Sequence, residues 1–353
     1  MSLSTAEYNR YIGKKWLALF TLAAVLFGVS VLCVSVGSSG LSVLEILKAL
    51  SGNGGAQSKT IVWNVRMPRI AAGIAVGVAL AMTGCIMQNV LRNPLASAST
   101  LGVSQGASFG AAFAIVYLGA GIQVNSGSSS AITFTNPFMI TICAFLGGIV
   151  TTAAILALSR FSRVTPSAMI LAGVAISSLF TGATALIQYF ADDVMIATVV
   201  YWTFGSLGRA GWREIGLIFS LGSVAFLYFI FNRWNYNAME SGTHTAKSLG
   251  VPVNSLILAS MVVCSLISSV SVAFVGCINF VGLIAPHIVR RFVGNDHRFL
   301  IPCSALMGAA LMLAADAASR TLAAPAVLPV GALTSFLGAP LFLYMVVNGE
   351  NIK

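Results

Sequence analysis

The apolar positions of this chain are gathered into long, nearly uninterrupted runs, and its polar positions into short stretches between them. An α-helix needs ~20 apolar residues to cross a bilayer. On that basis ten runs are read as spanning helices, over residues 16–36, 70–90, 95–119, 137–158, 166–190, 215–232, 254–275, 279–291, 299–318 and 326–347, the eighth being short. A further uncharged run, 194–208, ends in glycine-rich turns and falls below crossing length, so it is expected to be a partial or re-entrant helix. Between the first two spans the pattern predicts a short helix over 42–50 and a flexible SGNGG turn at 51–55. The expected fold class is an all-α polytopic membrane protein of about ten transmembrane helices with short re-entrant or partial helices.

Composition agrees with the runs. The chain is 58% hydrophobic and 8% charged, with a mean hydropathy of +0.92, against roughly 45–50% apolar and 25% charged in soluble domains. No stretch has the charge density of a solvated surface, so residues 1–353 are read as one membrane domain. Within it, 1–15 is read as a cytoplasmic N-terminal segment, 16–347 as the ten-helix transmembrane part and 233–252 as a polar cytoplasmic segment. The first apolar run is longer than the ~7–15-residue core of a signal peptide, and no small-x-small cleavage site precedes residue 37.

The net charge of +10 does not point to nucleic acid, because the basic residues stand singly or in pairs at the ends of apolar runs. Lipid headgroups are the better partner. In the ten-span topology twelve Lys and Arg fall on one side and seven on the other, which puts both termini in the cytoplasm. Trp16, Trp63, Trp202, Trp212 and Trp234 all lie at or near span ends, where aromatic belts belong. The six cysteines form no CxxC pair, so they signal neither a disulfide framework nor a zinc site.

The most informative stretch is 84–110, GCIMQNVLRNPLASASTLGVSQGASFG, where one apolar run stops at Asn93-Pro94 and a small-residue run follows. Proline lacks a donor and disfavours helical dihedrals in the residue before it. Gln88, Asn89, Arg92, Asn93, Ser97, Ser99 and Thr100 gather at this break. In a membrane protein, irregular polar backbone belongs in protein or along a wet cavity, and the break is read as the mouth of a pathway or as an interfacial loop. Glycines four apart at Gly73 and Gly77, and at Gly102, Gly106 and Gly110, predict close helix contacts.

Other chemistry is sparse. Ser104 and Ser108 each sit in a GxSxG match, but a nucleophile elbow needs a strand-to-helix turn that a spanning helix lacks. Asp316 is the only acidic residue inside a predicted span and can pair with Arg320 one turn later. An ion-coupled carrier would usually carry more intramembrane carboxylates. No GxxxxGK[ST] loop exists, so any ATP must bind another polypeptide. The polar stretch 234–252, WNYNAMESGTHTAKSLGVP, predicts one or two short surface helices.

Several segments together resemble the FecCD-type permease family, the membrane subunits of ABC importers for iron siderophores, haem and cobalamin. They are RMPRIAAGIAVGVALAMTGCIMQ at 66–88, NPLAS and LGVSQGA within 93–107, TAKSLGV at 245–251, FVGLIAPHIVRRFVGNDHRFLIP at 280–302 and LPVGALTSFLGAPLFLYMV at 328–346. The resemblance implies a type II ABC importer permease with no catalysis of its own. It further implies a second permease copy or paralogue, two cytoplasmic ATPase subunits that hold the ATP and Mg, and an extracytoplasmic substrate-binding protein, this chain binding no cofactor. By the same resemblance, Arg66, Arg69 and Arg320 receive the binding protein, and Gln88, Asn93 and Leu95 belong to the inner gate and path. Glu240, Lys247, Leu249 and Gly250 then belong to the ATPase-coupling segment. The sequence departs from the family pattern at Ala98, Cys277, Asn279 and Val327, the last weakening detailed transfer at the outer mouth.

Overall fold

The structure, a computed structural model, describes residues 5–36, 41–121, 135–161, 166–324 and 326–349. It begins with α1 (Thr5–Ser35), α2 (Val43–Leu50) and α3 (Ala56–Thr60), the last running through a π-helical segment, Ile61–Arg66, straight into α4 (Met67–Val90). Next come α5 (Val103–Val116), α6 (Pro137–Phe161), α7 (Pro166–Tyr189), α8 (Asp193–Thr203) and, after a 3-10 turn at Leu207–Arg209, α9 (Trp212–Phe231). Two short helices, α10 (Arg233–Glu240) and α11 (Thr243–Ser248), precede α12 (Val253–Val275), α13 (Val281–Val293), α14 (His297–Thr321) and α15 (Val330–Gly349). No strand occurs among the described residues.

Each of the ten predicted runs is helical, but they are unequal. Among the described residues seven helical segments are long and apolar enough to cross a membrane: α1, the α3–α4 rod, α6, α7, α9, α12 and α14. The third and eighth runs become the shorter helices α5 and α13, and the tenth becomes α15, which runs for 20 residues. At 1.5 Å per residue α13 rises only ~20 Å, short of a hydrocarbon core of ~30 Å. The third run, expected from residue 95, turns helical only at Val103. Ser97 and Thr100 explain the delay, since their hydroxyls bond neighbouring backbone, the Thr100 hydroxyl donating to the Ser97 carbonyl at 2.9 Å. The predicted loop at 120–136 falls mostly on residues 122–134, which lie outside the described ones, as do Arg163 and Lys353.

The rod ending in α4 forms the axis of the bundle: 83% of its apolar window is buried, against 6% for α1 and 17% for α7. It packs against α14, α12, α13 and α9. Two of the predicted glycine positions sit at close helix contacts. A Cβ at Gly77 would lie 2.6 Å from the Gly308 carbonyl oxygen of α14, and one at Gly106 would strike α6 at Thr151 and Gly147. Only glycine lets these backbones meet. Hydroxyls add cross-helix bonds, as where Ser268 of α12 donates to Thr83 of α4 at 3.2 Å.

Candidate functional site

At one end of the bundle α4 stops at Val90 and the chain turns through Arg92, which takes a left-handed φ of 47°. Pro94 prevents resumption of the helix, and the Asn93 Oδ1 accepts the Leu95 N–H at 2.8 Å to fix the turn. The last turn of α4 buries two amides that face other elements, Gln88 and Asn89, each 4% exposed. Gln88 donates to the Leu283 carbonyl at 3.2 Å and accepts from Arg290 Nη2 at 3.2 Å. Asn89 donates to the Tyr236 carbonyl at 3.1 Å and to Glu240 Oε1 at 3.0 Å. The other oxygen of Glu240 accepts from Asn295 Nδ2 at 3.3 Å.

These groups line an open cavity of about 240 Å³ whose lining includes Gln88, Asn93, Glu240, Arg290 and Asn295. The structure thus brings two predicted gate residues and one predicted coupling residue to a single space. Leu95 stands outside that lining, exposed at the turn. Beyond Glu240 the chain folds over Gly242 (φ 110°) into α11 and leaves it through Gly250 (φ 83°). Lys247 is exposed, and Leu249 presents 68% of its surface with no internal pocket to fill. A second tie holds this platform. Asp296 accepts from Asn237 of α10 at 3.1 Å, from the Arg298 N–H at 3.1 Å and from Lys15 of α1 at 3.4 Å. Burial pushes the Asp296 carboxyl up, but the Asn237 amide, the Arg298 N–H and the Lys15 ammonium outweigh it and hold the group below the usual carboxylate range.

The opposite end is organised around Asp316. Arg69 Nε lies 2.6 Å from one of its oxygens and Arg320 Nε 3.0 Å from the other, while the carboxylate itself is fully buried. The expected Asp316–Arg320 pair is present, with Arg69 as a second partner. Arg320 also donates to the Val36 carbonyl at 2.7 Å, and Arg66 to the Val34 carbonyl. These carbonyls end α1, which carries no basic residue in its own last turn, so borrowed guanidinium groups satisfy the orphan acceptors. Arg66, Arg69 and Arg320 therefore lie at one end of the bundle, as largely buried side chains engaged within the fold.

Ser104 and Ser108 stand on α5, where the Ser108 hydroxyl donates to the Ser104 carbonyl at 2.9 Å, a helix-interior bond and not an elbow.

The profile of the FecCD transport family matches residues 22–348. The chain belongs to the FecCD transport family. A protein of Methanocaldococcus jannaschii named as an ABC transporter permease is 52% identical over 97% of this chain and 97% of its own length. The Fe(3+)-citrate import system permease protein of Bacillus subtilis is 32% identical, covering 96% of each chain. Relatives matching over shorter stretches are permeases for hemin and vitamin B12. A solved structure described as an inward-facing conformation of a metal-chelate type ABC transporter superposes with a TM-score of 0.79 at 29% identity, covering 94% of this chain and 98% of that one. This FecCD chain is accordingly a multi-pass ABC importer permease.

Five polar participants were not singled out from the sequence: Arg290, Asn295, Asp296, Asn237 and Lys15. The only trace of Arg290, Asn295 and Asp296 is the charged end of the amphipathic α13 and the GND turn after it.

Proposed function

We propose that this FecCD chain moves a ferric siderophore or a similar iron chelate across the cytoplasmic membrane, driven by ATP hydrolysis in other subunits. Two cytoplasmic ABC ATPases dock on α10 and α11, with Glu240, Lys247, Leu249 and Gly250 in the coupling segment, and hold the ATP and Mg. A binding protein delivers the cargo at the Arg66–Arg69–Arg320 end. Attraction at such a rim governs encounter rate and salt dependence more than buried energy. A second permease, identical or paralogous, completes the path beside this one, and both termini face the cytoplasm. The chain itself binds no cofactor.

One observation carries the mechanism: Glu240, the last residue of α10, is hydrogen-bonded to Asn89, four residues before the break at Asn93. A displacement of α10 by a docked partner is transmitted to the α4 terminus through that bond. Gln88, Asn93 and Leu95 are the residues such a movement would rearrange.

Support for an iron chelate comes from the whole-length similarity to the Fe(3+)-citrate permease. Haem and cobalamin are the second reading, favoured by the shorter matches, and an oxyanion is the third. Uptake of labelled ferric siderophores, haem and cobalamin is to be compared in cells with and without the gene under iron limitation. Loss of uptake of one ferric chelate is expected; intact iron uptake with lost cobalamin or haem uptake would move the cargo to that class. An ion-coupled carrier is set aside, because the chain belongs to a family whose relatives are ABC permeases.

A further inference from the structure

Helices α6 and α9 each pack against α12 and leave a slot between them. Its volume is about 700 Å³, within the ~300–1,000 Å³ of small-molecule sites. The walls are Phe138, Ile142 and Phe145 of α6, Leu217 of α9, and Ala273 and Phe274 of α12. Trp202, 3% exposed, also lines the slot, with Arg209 and Glu214 as its charged groups. The Arg209 guanidinium is fixed by the Trp202 and Tyr201 carbonyls at 2.9 and 2.6 Å. Glu214 accepts the Gly211 N–H at 2.9 Å.

Three features choose the occupant. An apolar slot of this size offers water few hydrogen-bond partners, so hydration does not fill it favourably. The helices on either side continue as exposed apolar surface, with Leu146 and Val150 on α6 and Val224 and Leu227 on α9, so the slot is continuous with what must face hydrocarbon in a membrane. Its charges are one cation and one anion, both contributed around the start of α9 and near the bundle end that holds Arg69. That pair is complementary to a phosphate and an amine.

We propose that the slot holds one hydrocarbon chain of a zwitterionic membrane phospholipid, with the phosphate toward Arg209 and the amine toward Glu214. The lipid acts as a wedge that completes the packing of α6 and α9 on α12. This site is independent of the cargo reading and requires only that the helices span a membrane.

The test uses the full transporter in nanodiscs, with Trp202 kept and Trp16, Trp63, Trp212 and Trp234 replaced by phenylalanine. Phosphatidylethanolamine brominated on chain carbons near the headgroup is compared with the same lipid brominated near the chain terminus and with unbrominated lipid. Loss of Trp202 emission is expected, greater for the bromines near the headgroup. Ala273→Phe and, at a partly exposed position less demanding of the fold, Thr141→Phe should fill the slot and restore emission. They should also remove a lipid that otherwise survives mild detergent in native mass spectrometry. Emission indifferent to bromine overturns the proposal, as does quenching that is equal in the parent and in a folded filled variant.

Discussion

The two ends of the bundle solve the same problem, the meeting of helix termini, with opposite chemistry. Opposite the coupling segment, one buried carboxylate is gripped by two guanidinium groups at 2.6 and 3.0 Å, and arginines borrowed from α14 and the π-helical segment close the end of α1. At the coupling end, the α4 terminus is held by amide hydrogen bonds of 3.0 to 3.2 Å around a cavity of about 240 Å³. A buried ion cluster loses heavily if any partner leaves, because a charge is then stranded. Single hydrogen bonds net only ~0.5–1.5 kcal/mol, or about 1.5–3 where Glu240 or Arg290 takes part, and exchange more readily where water can enter. In the function proposed above, the first end holds and the second moves.

The largest effect is expected where the holding end is broken. Asp316→Asn leaves Arg69 and Arg320 buried without their counter-charge, a loss of about 3–5 kcal/mol. Thermal unfolding of the purified protein in nanodiscs measures it. If the variant melts like the parent, the cluster is not the clamp and the contrast between the ends fails.

A smaller, pH-dependent effect is expected at Asp296. Its carboxyl is held below the usual range in the folded protein, so the stability it contributes is present above the ordinary carboxylate pKa of ~4 and is lost as pH falls through the lowered value. Asp296→Asn should cost about 1–3 kcal/mol at neutral pH, because Lys15, 3% exposed, loses its charged acceptor. The substitution should also flatten the acid limb of a melting-temperature series. An acid limb as steep as the parent's would assign that limb to other carboxylates.

What the sequence made legible was local. A bilayer imposes long apolar runs, so the runs announce spans; Asn93-Pro94 stops a helix by its own geometry; and Asp316 reaches Arg320 because they are one turn apart on α14. The rest depends on separations that no local pattern records. Arg69 meets Asp316 across 247 positions, Lys15 meets Asp296 across 281, and Asn89 meets Glu240 across 151. The late start of α5 was hidden for another reason. Counting apolar residues takes Ser97 and Thr100 as tolerated helix positions, whereas their hydroxyls compete for the backbone and hold it in turns.

At the end where α4 meets α10 the expected changes are smaller in stability and, on the proposed function, larger in transport. Glu240→Gln leaves one acceptor where two were used, by Asn89 and Asn295, so about 1.5–3 kcal/mol is at stake, the range for a hydrogen bond to a charged group. In proteoliposomes carrying the ATPases and the binding protein, substrate moved per ATP hydrolysed should fall while the protein stays folded. An unchanged ratio would remove Glu240 from the transmission path.

Leu249 gives the smallest stability effect and the sharpest separation of the two roles. Its side chain is 68% exposed and lies just past the end of α11, so truncation to alanine removes almost no packing within this chain. Leu249→Ala should therefore shift unfolding by no more than about 0.5 kcal/mol. The proposed coupling role assigns the surface around Leu249 and Gly250 to the ATPase. Weaker ATPase capture and less transport per ATP, at unchanged melting temperature, are the expected results. Full coupling in this variant would mean that the platform is gripped elsewhere along α10, and the force that opens the cavity would then enter through Asn237 and Asp296 in place of the α11 tip.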